Sequence, residues 1–323
     1  MTSITATTPE SSGVSLDRKA LKQLSRRSDR PGLITLGLWA LLLAGSGALL
    51  FFSLGTWGVV PATILYGSIL TVPAYALSHE CAHGTAFRTR WLNELVFWVT
   101  SFIFFEGPHF RRYAHARHHT YTWIRAKDAQ MPFNTPLTLK GWLLEVSDLG
   151  QYVYDGGHMV RNALGRFDAE VIDFAPASEL PKLKRESRIF LALYFALAAA
   201  AAAGALWVLT FLVIPRLVGG VTMQLYTIIQ HAELAEDQPD LTKSTRSFTT
   251  NRFGDFLYAN MSNHLEHHLY PVVPFHALPR LSEALRDELP APNRGLLRTN
   301  AEVFAAIWRR SLGRPAVADR NPA

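Results

Sequence analysis

Histidine is placed in this chain in a way that packing alone does not require. Eight of the twelve histidines fall in three short boxes: His79-Glu80-Cys81-Ala82-His83, His115-Ala116-Arg117-His118-His119 and His264-Leu265-Glu266-His267-His268. On a helix, positions i, i+3 and i+4 share one face about 5–6 Å apart. Each H-x-x-H-H box therefore aims three imidazoles one way, and H-x-x-x-H aims two. Neutral imidazole suits iron, copper, zinc or nickel. Such crowding is penalised once the rings protonate, unless a metal holds them neutral. Eight candidate ligands exceed a four-coordinate zinc site and suit two metals. The first box also satisfies H-E-x-x-H, the zinc-peptidase pattern in which the glutamate is the general base. That alternative, a membrane zinc metallopeptidase, leaves the other two boxes without a role. Glu80, turned about 100° from His79 on a helix, would then support a ligand or face solvent.

The elements that must position these boxes are apolar. The chain has 323 residues, 49% of them hydrophobic, with a net charge of +6. From Pro31 to Ser78 no residue is charged. A crossing helix needs about 20 apolar residues, so this run predicts a helical hairpin turning at Gly55–Gly58, and helices are the plausible spanning form. A second apolar run, 189–230, is interrupted only by Arg216 and predicts another hairpin, reversing near Gly204 or near Pro215–Gly220. The shorter run Leu95–Phe105 reads as an interfacial or re-entrant helix. Basic residues flank these runs: Arg18, Lys19, Lys22, Arg26, Arg27 and Arg30 before the first, and Lys182, Lys184, Arg185 and Arg188 before the third crossing. The turn at 55–58 has none. This positive-inside pattern places both termini and residues 79–187 in the cytoplasm, and explains the basic balance without a nucleic-acid partner. The single cysteine, Cys81, excludes an intramolecular disulfide and a cysteine-rich zinc site.

The fold expected is an all-α integral membrane protein with two transmembrane hairpins, about four spans, and a helical cytoplasmic cap carrying the metal site. Residues 1–30 are expected as a disordered, basic cytoplasmic tail, 31–285 as the membrane metal domain, and 286–323 as a C-terminal cytoplasmic helix and tail. After the second hairpin Pro279 opens a helix ending near Leu289, and Thr299 with Glu302 forms a capping box for a final helix.

HECAHG, HARHH and NHLEHHLYP, in this order and flanked by two apolar hairpins, resemble the membrane fatty acid desaturase superfamily, which also contains hydroxylases and ketolases. HGTAFRTRWLNE, HHTYT with Asp128, QLYTIIQHAEL and NMSNHLEHHLYPVVPFHALPRL look similar to bacterial members grouped with rhizopine-catabolism desaturase-like proteins. The resemblance covers about residues 31–285. It implies a non-haem di-iron centre with dioxygen as co-substrate, at the cytoplasmic face of a multi-pass, bacterial cytoplasmic membrane protein. Its ligands would be His79, His83, His115, His118, His119, His264, His267 and His268, with His231 as a ninth. The first box has three intervening residues, closer to acyl-lipid and sphingolipid desaturases and carotenoid ketolases than to the acyl-CoA branch. Thr227 stands where that branch carries a metal-linked asparagine.

The activity implied is desaturation of a fatty acyl chain of a lipid, with hydroxylation of a lipid or other apolar substrate as the alternative. Phe97, Trp98, Phe102, Phe104 and Phe105 are candidates to line the substrate path. Glu106, Asp128 and Glu266 are candidates to accept the second N–H of a ligating imidazole. His109 is a weaker candidate for that outer shell, and His158 and His276 read as structural. No cytochrome segment, cysteine set for an iron–sulfur cluster or dinucleotide motif is found, so a separate ferredoxin or rubredoxin with its reductase is implied, drawn to the basic surface.

Overall fold

A computed structural model describes residues 8–131 and 135–314, and every regular element among them is helical. The expected disordered tail differs from what residues 8–30 do. The Asp17 carboxylate accepts from the backbone N–H groups of Lys19 and Ala20 and so starts α1 (Arg18–Leu24). Val14 and Leu24 are buried, and the Leu241 N–H donates to the Ser12 hydroxyl at 2.9 Å. Two apolar anchors and a cap suffice to dock a segment that composition alone reads as polar. Residues 1–7 of that tail lie outside the described residues.

The uncharged run becomes α2 (Asp29–Ser53) and α3 (Val59–His83), with Gly55 between them at φ +78°. Pro73 lies inside α3 and cannot donate to the Ile69 carbonyl, four residues earlier. The Trp39 indole N–H from α2 makes that bond instead, at 2.7 Å. The amphipathic α4 (Arg90–Phe104) follows. It buries Val96, Phe97, Thr100 and Phe104 while Trp91, Leu95 and Val99 face outward. Its 15 residues span about 22 Å, too short to cross and consistent with the interfacial reading.

Pro108 occupies the first turn of α5 (Pro108–Thr120), where its missing N–H has no cost. Then come α6 (Leu139–Val146), α7 (Leu149–Leu164), α8 (Ala169–Phe174), α9 (Leu180–Ala202) and α10 (Leu209–Gln230). The reversal of the second apolar run sits at Gly204, φ +99°, not near Pro215. Among the described residues three helices, α2, α3 and α10, are long and apolar enough to cross a membrane. That is one fewer than the four expected, because α9 opens with Lys182, Lys184, Arg185, Glu186 and Arg188 and only its later turns are apolar.

α10 packs tightly on α3. A Cβ on Gly67 would meet the Pro215 carbonyl oxygen, one on Gly219 would meet the Gly67 carbonyl, and Ser68 and Thr222 share a 2.8 Å hydrogen bond. Arg216, the lone charge of this run, is fully engaged. It donates to Asp148 at 2.9 Å and to the carbonyls of Ile103 and Phe104 at 3.0 Å, so it caps the end of α4.

The remaining helices are α11 (Leu241–Ser244), α12 (Arg252–Leu257), α13 (His264–Leu269), α14 (Leu278–Ala284) and α15 (Leu296–Ser311). The expected capping box is not one. Gly295 begins the last helix a turn earlier, the Thr299 hydroxyl donates back to the Gly295 carbonyl, and Glu302 pairs with Arg298. Asn300 donates to the Leu225 carbonyl and Arg310 forks onto Glu233, which fastens α15 to the end of α10.

Candidate metal centre

Four elements end or begin at one place. The last turn of α3 carries His79 and His83, α5 carries His115, His118 and His119, the end of α10 delivers His231, and α13 carries His264, His267 and His268. These nine residues form two groups, His79, His83, His115, His119 and His267 in one, and His118, His231, His264 and His268 in the other. Within each group one ring nitrogen per residue lies within 4.8 Å of all the others. The H-x-x-H-H boxes do not aim three rings one way. In each, the i and i+4 histidines share a group and the i+3 histidine joins the other group. Both boxes therefore bridge the two groups, whose rings stack where His119 meets His268 at 4.2 Å.

The nitrogen arrangement fits cations and does not fit protons. Nε2 atoms face one another at 2.9 Å (His83–His115), 3.1 Å (His115–His119) and 3.2 Å (His119–His267) in the first group. In the second they do so at 3.1 Å (His231–His264) and 3.0 Å (His264–His268). A neutral imidazole has one N–H. Several rings commit it on the outer side: His115 Nδ1 to Gln130 at 2.6 Å, His118 Nδ1 to Asp128 at 2.9 Å and His231 Nδ1 to the Ser244 carbonyl at 2.8 Å. His268 Nδ1 reaches the Thr122 hydroxyl at 3.1 Å, which itself donates to the His118 carbonyl. Their Nε2 lone pairs are left pointing inward at other lone pairs, an arrangement a bound metal resolves. Both His79 ring nitrogens are buried without a hydrogen-bond partner among the described residues. Burial, then the neighbouring imidazoles, holds His119, His264 and His268 well below the ordinary histidine range. Burial and then His118 push His231 down to about 3.

Of the three acids expected behind the histidines, only Asp128 has that position. It also accepts from the backbone N–H groups of Trp123 and Gln130, both at 2.8 Å. Glu106 pairs with Arg111, and Glu266 accepts from the hydroxyls of Ser247 and Ser282 at 2.5 and 2.6 Å. Glu80 neither supports a ligand nor meets solvent. It is fully buried, accepting from the Thr85 hydroxyl at 2.9 Å and the Phe275 N–H at 3.1 Å. That removes the general base from the peptidase alternative. His109 bonds Glu186 at 2.7 Å, His158 faces Asp168 at 3.3 Å, and neither they nor His276 join the groups. Sequence reasoning missed Gln130, two residues beyond Asp128, and the Ser244 carbonyl, for which no side-chain signal exists.

A cavity of about 360 Å³ opens beside the histidines, with His79, His115, His118, His231 and His264 on its wall. Of the aromatic residues expected on a substrate path only Phe104 borders it. Phe97 is packed in the core with Leu77 and Cys81, Trp98 contacts Phe190, and Phe102 and Phe105 contact Tyr194. Thr227 lines the cavity and donates to Gln224 at 2.8 Å, not to the histidines.

The fatty acid desaturase family model matches residues 55–299. No curated protein matches the chain. The matched region begins at the turn between α2 and α3, ends inside α15 and holds all nine converging histidines, and on this match the chain belongs to the fatty acid desaturase family.

Proposed function

We propose that the protein is a membrane di-iron oxidoreductase that uses dioxygen and externally supplied electrons to desaturate an acyl chain of a lipid. The observation that carries this is the pair of adjoining histidine groups whose inward lone pairs border one cavity. His79, His83, His115, His119 and His267 would hold one iron, and His118, His231, His264 and His268 the other. Bound there, the two irons supply the dioxygen-dependent oxidising power that breaking an unactivated C–H bond demands and that no side chain has. The chain's own part is positional. Asp128, Gln130, Thr122 and the Ser244 carbonyl hold Nδ1 protons so that the opposite nitrogens stay available and fixed. Arg111, paired with Glu106 and stacked over Tyr75 and Phe104, closes one side of the cavity.

In this reading α9 is a fourth crossing, both termini and the metal centre are cytoplasmic, and residues 31–285 are the catalytic domain. An acidic ferredoxin or rubredoxin docks on the basic cytoplasmic face. Metal analysis of the purified protein, with lipid profiling of an expressing host, tests the proposal. Two irons per chain and lipids short of two hydrogens are expected. Lipids that gain one oxygen would make it a hydroxylase on the same ligands, and stoichiometric zinc with no lipid change would overturn both.

A further inference from the structure

The lining of the cavity is not all hydrocarbon. Glu106, Glu145 and Glu170 line it, and Arg111 is its only cationic residue among the described ones. Arg111 is committed to Glu106 at 2.5 Å, which leaves two carboxylates uncompensated. Glu170, exposed at the surface, accepts from the Tyr154 hydroxyl at 3.3 Å. Glu145 is the unusual one. It lies on α6, is 7% exposed and borders the cavity, yet no hydrogen bond to its carboxylate is found among the described residues. On α7, Asp155 is also buried, with one oxygen bonded to Gln151 and the other without a hydrogen-bond partner among the described residues. A carboxylate that opens onto a cavity and meets no protein donor leaves its hydrogen bonds to be made by what enters that cavity. A cavity that only excluded water around an acyl chain would have no use for one.

We infer that the molecule presented to the metal centre carries a protonated amine, seated on the Glu145 carboxylate at the α6–α7 wall. An ammonium supplies both what the carboxylate lacks, a donor and a positive charge. The aromatic rings of Tyr154 and Trp123 on the same lining favour a cation further. The cavity volume, about 360 Å³, is at the small end of ligand sites, room for a compact amine or for the amino-bearing head of a lipid. α6 and α7 present Leu143, Leu144, Leu149, Val153 and Leu164 outward, so this wall lies where a lipid head group would also arrive. The inference rests on the oxidoreductase reading for the position of the reacting bond, but its test does not depend on turnover.

The experiment titrates the iron-loaded protein in nanodiscs with hexylamine, hexanol and hexanoate, following tryptophan fluorescence, because Trp123 borders the cavity. Hexylamine is expected to bind about tenfold or more tightly than the other two, and Glu145→Gln to remove that preference while leaving hexanol binding alone. Dihexanoyl phosphatidylethanolamine forms a second arm: tighter binding than hexylamine assigns the amine to a lipid, weaker binding to a free amine. Equal binding of amine, alcohol and acid to the unsubstituted protein would overturn the inference, whatever the fate of the variant. So would an amine preference that survives Glu145→Gln in a variant with unchanged iron content. Iron stoichiometry and lipid profile, measured on the same preparation, report separately on the oxidoreductase reading.

Discussion

At the scale of single residues, Asp128 joins two tasks. Its carboxylate holds the His118 Nδ1 proton at 2.9 Å and ties down the loop after α5 through two backbone N–H groups. Asp128→Ala should free the His118 ring to rotate and to change tautomer. Metal affinity is then expected to fall about 10–100-fold, read as iron lost to a chelator of known strength. Glu266 sits inside a histidine box yet bonds only serines. Glu266→Ala should mainly destabilise, by about 1–3 kcal/mol from the two stranded hydroxyls, seen as a lowered Tm. The pH dependence of the metal-stripped protein follows from the buried rings. His231 at about 3 in the fold, against its ordinary 6.5, takes a proton in the unfolded chain throughout that interval and refuses it in the folded one. The share of folded stability that His231 controls should therefore be flat above pH 6.5 and fall as the pH drops below it, by a few kcal/mol. Thermal melts of the stripped protein and of its His231→Ala variant at pH 7.5 and 5 measure this, and an equal change in Tm for both would contradict it.

Among the helices, the metal centre depends on contacts well away from it. α3 and α10 deliver His79, His83 and His231, and they touch backbone to backbone at Gly67 and Gly219. Such close approach requires small residues at helix crossings in a membrane. Gly219→Ala would drive its Cβ into the Gly67 carbonyl, where rigid backbone has no room to yield. A loss of about 1–3 kcal/mol is expected, with reduced iron retention because His231 moves relative to His79. Iron content and Tm should fall together.

The histidine boxes were legible because three imidazoles in five residues have few uses other than metal. Their division into two groups was not, since helical spacing shows which residues share a side but not how two neighbouring rings part. The hairpin at 31–78 was legible from the absence of charge. The turn at Gly204 was not, because Gly204 and Pro215 are equally good breakers and only the packing of α10 on α3 chooses. The Thr299 capping box failed for a related reason. Gly295 already starts the helix, and a local motif has no means to know that.

At the scale of the whole chain, the site constrains the topology. α3 and α10 both end at the histidines, with His79 and His231 on the lining of one cavity, and both are apolar enough to cross. Their midpoints meet at Gly67 and Gly219, and Ser68 bonds Thr222, so the two helices run parallel and both start on the far side. The chain leaves α3 at the histidine side and must return to the far side before α10 begins. In the proposed topology α9 would carry it, its apolar part, residues 189–202, spanning about 21 Å and its basic first turns making up the rest. Arg188 and the lysines of its first turns would reach the head groups at the near surface, and Phe195, 72% exposed, would face lipid. Cysteine labelling tests this parity. The sole native cysteine, Cys81, is fully buried and gives a silent background. With a membrane-impermeant maleimide on intact cells, Thr56→Cys and Ala203→Cys should both label, whereas Asp287→Cys should label only after permeabilisation. Labelling of Ala203→Cys together with Asp287→Cys, and not with Thr56→Cys, would mean that α9 turns back without crossing. The parallel arrangement of α3 and α10 could not then hold in a bilayer.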